Sequence, residues 1–345
     1  MRIPALVATI LILTTGCDKA NQPKWVQDVV KGYQDFIDRV SGVAEATKPP
    51  PPVYTKLDGK PTVLFQVFGK RSDPRIIPIA VLERGKLNRI VLTGRGWRDF
   101  DRLYASPGET LALYQDGRRV GTATVRQGMW QAGDSALYTL PGCRLALPIA
   151  TVALRGDVAG RTTVELLASS NGTLGRNPEP VAMSPAQVEK TARDIGLLVG
   201  ARLSISPRTL DSLEFRAIAV PTGQRGRPTL VVNYLDAAAT DSTKNRTARQ
   251  VLFFADQGQF GYGSTYWHFQ RGRNPAPQFR RYLDHLDLDG DGQDEIILEA
   301  WNAMRPGTFY MVLRRQNGMW EERYRSDPEW CLDAQQGQLA AAEAR

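Results

Sequence analysis

The sequence predicts a mainly β protein with some helix (α+β). It divides into an N-terminal amphipathic helix, a β-rich middle domain and an α+β C-terminal domain built around a strand–loop–strand site. Three observations predict this. Short runs of Val, Ile, Leu and aromatic residues recur between Gly, Pro and Asp turns through most of residues 54–180 and again from Leu213. Two stretches carry apolar residues at three- and four-residue steps, Pro23 to Ala46 and the segment after Ser184. The composition, 42% hydrophobic and 23% charged over 345 residues, is that of an ordinary folded chain and argues against disorder or a polytopic membrane protein. Such a length suggests about two domains.

The chain opens with Arg2 and the nine-residue apolar run Ala5 to Leu13, closing at Thr14-Thr15-Gly16-Cys17. The run is too short to cross a bilayer as a helix and has the dimensions of a signal peptide. Small residues ahead of Cys17 resemble the bacterial lipobox. Thr14 stands where that motif usually has an aliphatic residue, with Leu13 one place earlier; an ordinary secretory signal containing Cys17 is the alternative. The resemblance implies a signal peptide over residues 1–16 and acylation (palmitate) at Cys17. It also implies a lipoprotein held to a membrane of the bacterial cell envelope, on its periplasmic or extracellular side, since two acyl chains anchor stably. Asp18 resembles the inner-membrane retention signal of enteric bacteria.

With Cys17 lipidated, Cys143 and Cys331 are the cysteines left. An oxidising compartment permits them to form a disulfide; two separate buried thiols are the alternative.

Residues 17–53 hold the anchor, the amphipathic helix and a linker. The helix has Val26, Val29, Val30, Tyr33, Ile37, Val40 and Ala44 on one stripe, while Asp28, Asp35 and Asp38 mix with Lys24, Lys31 and Arg39 on its polar side. A membrane-surface helix wants a basic polar face, so packing on protein is expected. Lys48-Pro49-Pro50-Pro51-Pro52 makes a stiff polyproline spacer.

In the β-rich domain, 54–180, strands are expected over Val63–Phe68, Ile76–Leu82, Ile90–Leu92 and Thr110–Tyr114, with a hairpin turn at Asp116-Gly117 and no helix of useful length. In the α+β domain, 181–333, Ser184-Pro185-Ala186-Gln187 starts a helix, with Ser at the N-cap and Gln three places on. Strands follow at Phe215–Val220, Thr229–Tyr234, Val251–Phe254, Glu295–Trp301, Phe309–Leu313 and Trp320–Tyr324. Asn317-Gly318 turns the last pair. Residues 334–345 form a tail.

One segment carries chemistry: Asp287-Leu288-Asp289-Gly290-Asp291-Gly292-Gln293-Asp294-Glu295. Calcium takes six to eight hard oxygens, and alternate carboxylates in a tight loop aim several at one centre. Asp287, Asp289 and Asp291 stand at positions one, three and five, Gly292 permits the bend, Gln293 offers its carbonyl and Glu295 stands at nine. An EF-hand needs Glu at position twelve, which here is Leu298, so that motif is excluded. The shorter loop, followed by Ile296-Ile297-Leu298, resembles the calcium loop of FG-GAP (integrin-α-like) and VCBS repeats. There the ion braces a hairpin. That family ends the loop with Asp and an aliphatic residue, where this chain has Asp294-Glu295. A solvated acidic turn is the alternative, and a zinc site through His285 lacks further nitrogen or sulfur ligands.

Enzyme signatures fail. No Gly-x-Ser-x-Gly, Ser-x-x-Lys or Walker loop is present. Gly133 to Leu137 resembles the GDSL nucleophile block with one residue inserted, but neither His268 nor His285 has the aspartate spacing of that family. Gly261-Tyr262-Gly263-Ser264 reads as a turn, and Trp301, Trp320 and Trp330 as packing residues. The formal charge of +8 is dispersed rather than striped, which speaks against nucleic acid; outside the cytoplasm an acidic envelope polymer or another envelope protein is the expected partner, and an ordinary solvated basic surface is the alternative. The expected function is a calcium-stabilised binding or structural module. The rival is an envelope hydrolase with a catalytic site assembled from distant segments, which a cleft with convergent acids and a basic group would favour.

Overall fold

The computed structural model describes residues 53–54, 60–90, 94–128, 137–139, 146–148, 150–158, 162–175, 180–223, 227–240, 247–271, 277–302 and 305–326. The expected signal segment, Cys17, the expected helix over Pro23–Ala46, the proline run, Cys143, Cys331 and the expected tail lie outside these residues. Pro50–Arg345 forms one compact unit.

Its first part runs β1 (Val53–Tyr54), β2 (Thr62–Lys70), β3 (Asp73–Glu83), β4 (Lys86–Ile90), α1 (Gly94–Tyr104), β5 (Thr110–Gln115), β6 (Arg118–Gln127), β7 (Leu137–Thr139), β8 (Ala146–Pro148), β9 (Ala150–Gly156) and β10 (Thr163–Ser169). Strands β3-β2-β10-β5-β6-β9 are hydrogen-bonded in that order, and β9 pairs back onto β3 through Arg75 opposite Thr151 and Ile76 opposite Ala150. The ring is a closed antiparallel barrel, which leaves no exposed edge among its own strands. Val63, Phe65, Val67, Leu111, Leu113, Ala123, Val125, Val152 and Leu166 fill it.

The absence of a useful helix here is corrected by α1. Phe100 and Tyr104 are fully buried in the barrel core, and the Tyr104 hydroxyl donates to the Pro61 carbonyl at 2.6 Å. Two glycines and a run of Arg and Asp conceal the element in sequence. Its signal was the spacing of Phe100, Leu103 and Tyr104.

The second part runs α2 (Pro185–Arg202), α3 (Pro207–Asp211), β11 (Glu214–Val220), β12 (Thr229–Leu235), β13 (Gln250–Gly258), β14 (Gly261–Gln270), β15 (Gln278–Leu286), β16 (Glu295–Asn302), β17 (Arg305–Gln316) and β18 (Met319–Arg325). Helix α2 starts at the expected capping box: Ser184 and Gln187 satisfy each other's backbone N–H. Strands β11–β14 form one antiparallel meander and β15–β18 another. The Gly261–Ser264 segment begins β14, so it is strand rather than turn.

The β15–β18 sheet is a middle layer. Ile297, Tyr310, Val312 and Tyr324 pack with Leu64, Ile77 and Ile79 on the outside of the barrel. The opposite face, Ile296, Leu298, Met311 and Leu313, packs with Val231, Leu252 and Phe254 of the other meander. Burial on both faces is why Ile296-Ile297-Leu298 and Tyr310 to Leu313 read as unbroken apolar runs. Polar ties reinforce the barrel side: the Tyr324 hydroxyl donates to the Ile79 carbonyl at 2.7 Å, Tyr310 meets Gln66, and Arg281 bridges Glu165 and Glu299. This core spans residue 180, the expected division between the two domains. The protein is mainly β with some helix, as its apolar pattern predicts.

Candidate metal centre

The acidic loop joins β15 to β16. Leu288 anchors it, 4% exposed in the core between barrel and middle sheet. The chain is pinned on both sides of that anchor: Gly175 N–H donates to the Asp287 carbonyl at 3.2 Å, and Asp294 N–H to the Thr222 carbonyl at 3.4 Å.

Within the loop the carboxylates fold the backbone around themselves. Asp287 accepts from Gly290 N–H at 2.7 Å and Gly292 N–H at 3.0 Å. Asp289 accepts from Asp291 N–H at 3.3 Å, Asp291 from Gln293 N–H at 2.8 Å, and Glu295 from Leu288 N–H at 3.0 Å. Gly290 and Gly292 have φ of 78° and 83°, left-handed values that L side chains resist. The DGDG spacing is therefore what lets the chain double back on Asp287.

One carboxylate oxygen each from Asp287, Asp289 and Glu295 lies within 4.8 Å of the others. Among the described residues this is the grouping that could hold a metal ion. Asp291 is outside it, with one oxygen on Gln293 N–H and the other 2.5 Å from Arg314 Nη2. Gln293 enters the local hydrogen bonding through its N–H. The acid pair closing the loop is also divided: Glu295 points into the cluster, whereas Asp294 points to the other side, with Oδ2 3.5 Å from His285 Nε2. Successive strand residues face opposite ways, so the two acids part at the start of β16.

Burial pushes the Glu295 carboxyl up to about 8; the Leu288 N–H and Arg314 pull it down, while Asp289 and Asp291 push it further up. Arg314, which sequence reasoning missed, is the cation of this cluster. From β17 it pairs with Asp289 and Asp291, and its Nε lies 3.7 Å from Glu295. A regular strand places it there; only the pairing of β16 with β17 could reveal that.

A second buried group lies behind the loop. A register shift in β15 between Tyr282 and Asp284 turns both Asp284 and His285 inward. His285 Nδ1 is 2.6 Å from the Tyr282 hydroxyl. Asp284 accepts from His285 N–H at 2.8 Å and faces the Asp116-Gly117 turn of the barrel. Burial pushes its carboxyl up to about 7, against backbone hydrogen bonds from His285, Gly117 and Asp116. His285 is thus held by Tyr and Asp neighbours and belongs to packing between barrel and middle sheet.

Beside the acids a cleft of ≈ 640 Å³ opens between the β3–β4 turn and the β17–β18 strands. Its lining includes Asp289, Asp291 and Glu295 together with Arg84, Lys86, Arg314 and Arg323.

Barrel, two meanders and acidic loop define a β-rich scaffold whose carboxylate oxygens line a charged cleft. Comparison with known protein families, curated proteins and solved structures finds no match.

Proposed function

We propose that the protein is a membrane-anchored bacterial envelope lipoprotein whose acidic loop holds calcium and whose β-rich body acts as a binding or structural module. The observation carrying this reading is the convergence of Asp287, Asp289 and Glu295 oxygens within 4.8 Å. The donor set is all oxygen, as a hard cation requires, and it excludes the nitrogen and sulfur ligands of a zinc site. The loop's resemblance to FG-GAP and VCBS repeats supports the same ion.

Asp287, Asp289 and Glu295 would hold the ion, which would cancel carboxylate repulsion and brace the β15–β16 connection. Leu288 keeps the loop seated while Gly290 and Gly292 keep its bends. Arg314 supplies the neutralising charge when no ion does. Calorimetric titration with calcium, and melting in calcium and in chelator, test the reading. Sites in extracellular modules bind with dissociation constants of about 0.1–1 mM. No binding heat together with identical melts would show a solvated turn. The anchor is tested separately: fatty-acid labelling should mark the native chain and leave Cys17→Ala unlabelled.

The cleft, with its acids and arginines, is the feature that favours the hydrolase alternative. Among the described residues its lining offers no hydroxyl, thiol or imidazole, which leaves water, a carboxylate or the Lys86 amine as nucleophile. Product release on prolonged incubation with candidate envelope esters would favour that alternative.

A further inference from the structure

The cleft has a division of charge that the metal reading does not use. One wall is the β3–β4 turn, with Arg84 and Lys86; the other carries Arg314 and Arg323 from β17 and β18. The turn sits close against the acidic loop, since a Cβ on Gly85 would lie 3.2 Å from Asp289 Cβ. Apolar Leu82, Leu87 and Val312 also line the cleft. Arg314 is committed to the acids, as described above. Arg84, Lys86 and Arg323 are exposed and have no ion-pair partner among the described residues.

Three cations without an ion-pair partner in one lining suit a multiply charged anion. A single carboxylate satisfies one guanidinium fork, whereas a phosphate monoester brings three terminal oxygens and up to two charges. The apolar part of the lining suits the carbon part of such a ligand. The acids oppose binding from the loop side, and a divalent ion on them would turn that repulsion into attraction.

We propose that the cleft holds the phosphate group of a small phosphorylated molecule or a lipid headgroup against Arg84, Lys86 and Arg323, and that calcium on the acidic loop tightens the hold. The calcium dependence rests on the metal reading; the phosphate contact does not.

Glycerol 3-phosphate, titrated calorimetrically into the full-length chain, tests this, with calcium alone titrated in parallel. Saturable binding is expected, about tenfold tighter in calcium than in chelator. Arg84→Glu, Lys86→Glu and Arg323→Glu should each weaken it by about tenfold while leaving the melting temperature in chelator unchanged, because these side chains are exposed. No saturable binding in calcium, or variants that bind as the native chain does, overturns the proposal. If calcium binds and the ester does not, the proposal falls and the metal reading stands. If the ester binds equally in chelator, the coupling falls and the phosphate contact stands. Vesicles separate the two sources, using Cys17→Ala so that no acyl chain contributes. Recruitment to vesicles containing phosphatidic acid but not to phosphatidylcholine alone, displaced by glycerol 3-phosphate, assigns a lipid headgroup. Ester binding without recruitment assigns a soluble ligand.

Discussion

Arg314 Nη2 lies 2.5 Å from Asp291 Oδ2, and the same guanidinium pairs with Asp289 and approaches Glu295. A strand residue from β17 thus supplies a counter-charge to a loop residue 23 positions earlier in the chain, in the region where a cation would act.

Arg314 and calcium should therefore compete for the same carboxylates. Arg314→Gln is expected to tighten calcium binding by about three- to tenfold, equivalent to ~0.7–1.4 kcal/mol for a partly exposed charge network. The variant should melt lower than the native chain in chelator, where the acids then repel unscreened. Calorimetry and paired melts read both effects. Unchanged or weaker calcium affinity would mean that Arg314 serves only as packing.

The two outer aspartates should behave differently. Asp289 belongs to the converging oxygens and Asp291 does not. At ten times its dissociation constant, calcium adds roughly 1.4 kcal/mol to a fold that alone binds it. Asp289→Ala should lose most of that gain, and Asp291→Ala should keep more of it. Equal losses in calcium-dependent melting would place Asp291 in the coordination sphere after all.

Asp284 gives the barrel contact a pH dependence. Burial holds its folded carboxyl up to about 7, against 3.8 for the ordinary group. Between those values the folded state keeps a proton that the unfolded chain releases, so its contribution to stability is full below about pH 4 and is lost as pH rises to 7. The titratable groups facing it are Asp116 in the barrel turn and His285 beside it, with Asp294 beyond His285. Urea midpoints across that range, native minus Asp284→Asn, should fall with increasing pH. A flat difference, or one that rises, contradicts this origin.

Gly117 and Gly318 occupy equivalent turn positions, with φ of 73° and 81°. A Cβ at Gly318 meets nothing within 4 Å, but at Gly117 it would lie 2.6 Å from His285 Nε2 and 2.9 Å from Asp294 Oδ2. Gly318→Ala should cost only the backbone strain, about 1–2 kcal/mol. Gly117→Ala should cost that plus overpacking, about 2–5 kcal/mol in all. Denaturant unfolding of the two variants measures the difference; equal costs would show that the turn gives way without resistance.

Much of this protein is written locally. The Ser184–Gln187 capping box, the Asp116-Gly117 and Asn317-Gly318 turns and the alternate acids of the loop each depend on residues a few places apart, so the sequence by itself determined them. The tertiary structure decided what brings distant segments together. Strand β14 carries glycines that read as a turn and is set by its pairing with β13. Helix α1 is secured by burying Phe100 and Tyr104 in a barrel that exists only once β9 closes on β3. The choice of Glu295 over Asp294, the counter-charge from Arg314 and the cation wall at Arg84 and Lys86 depend on strand register and on which sheet packs against which. The physical reason is range: caps and turns draw their hydrogen bonds from neighbours in sequence, whereas the charge environment of the loop is set by side chains that only folding delivers to it.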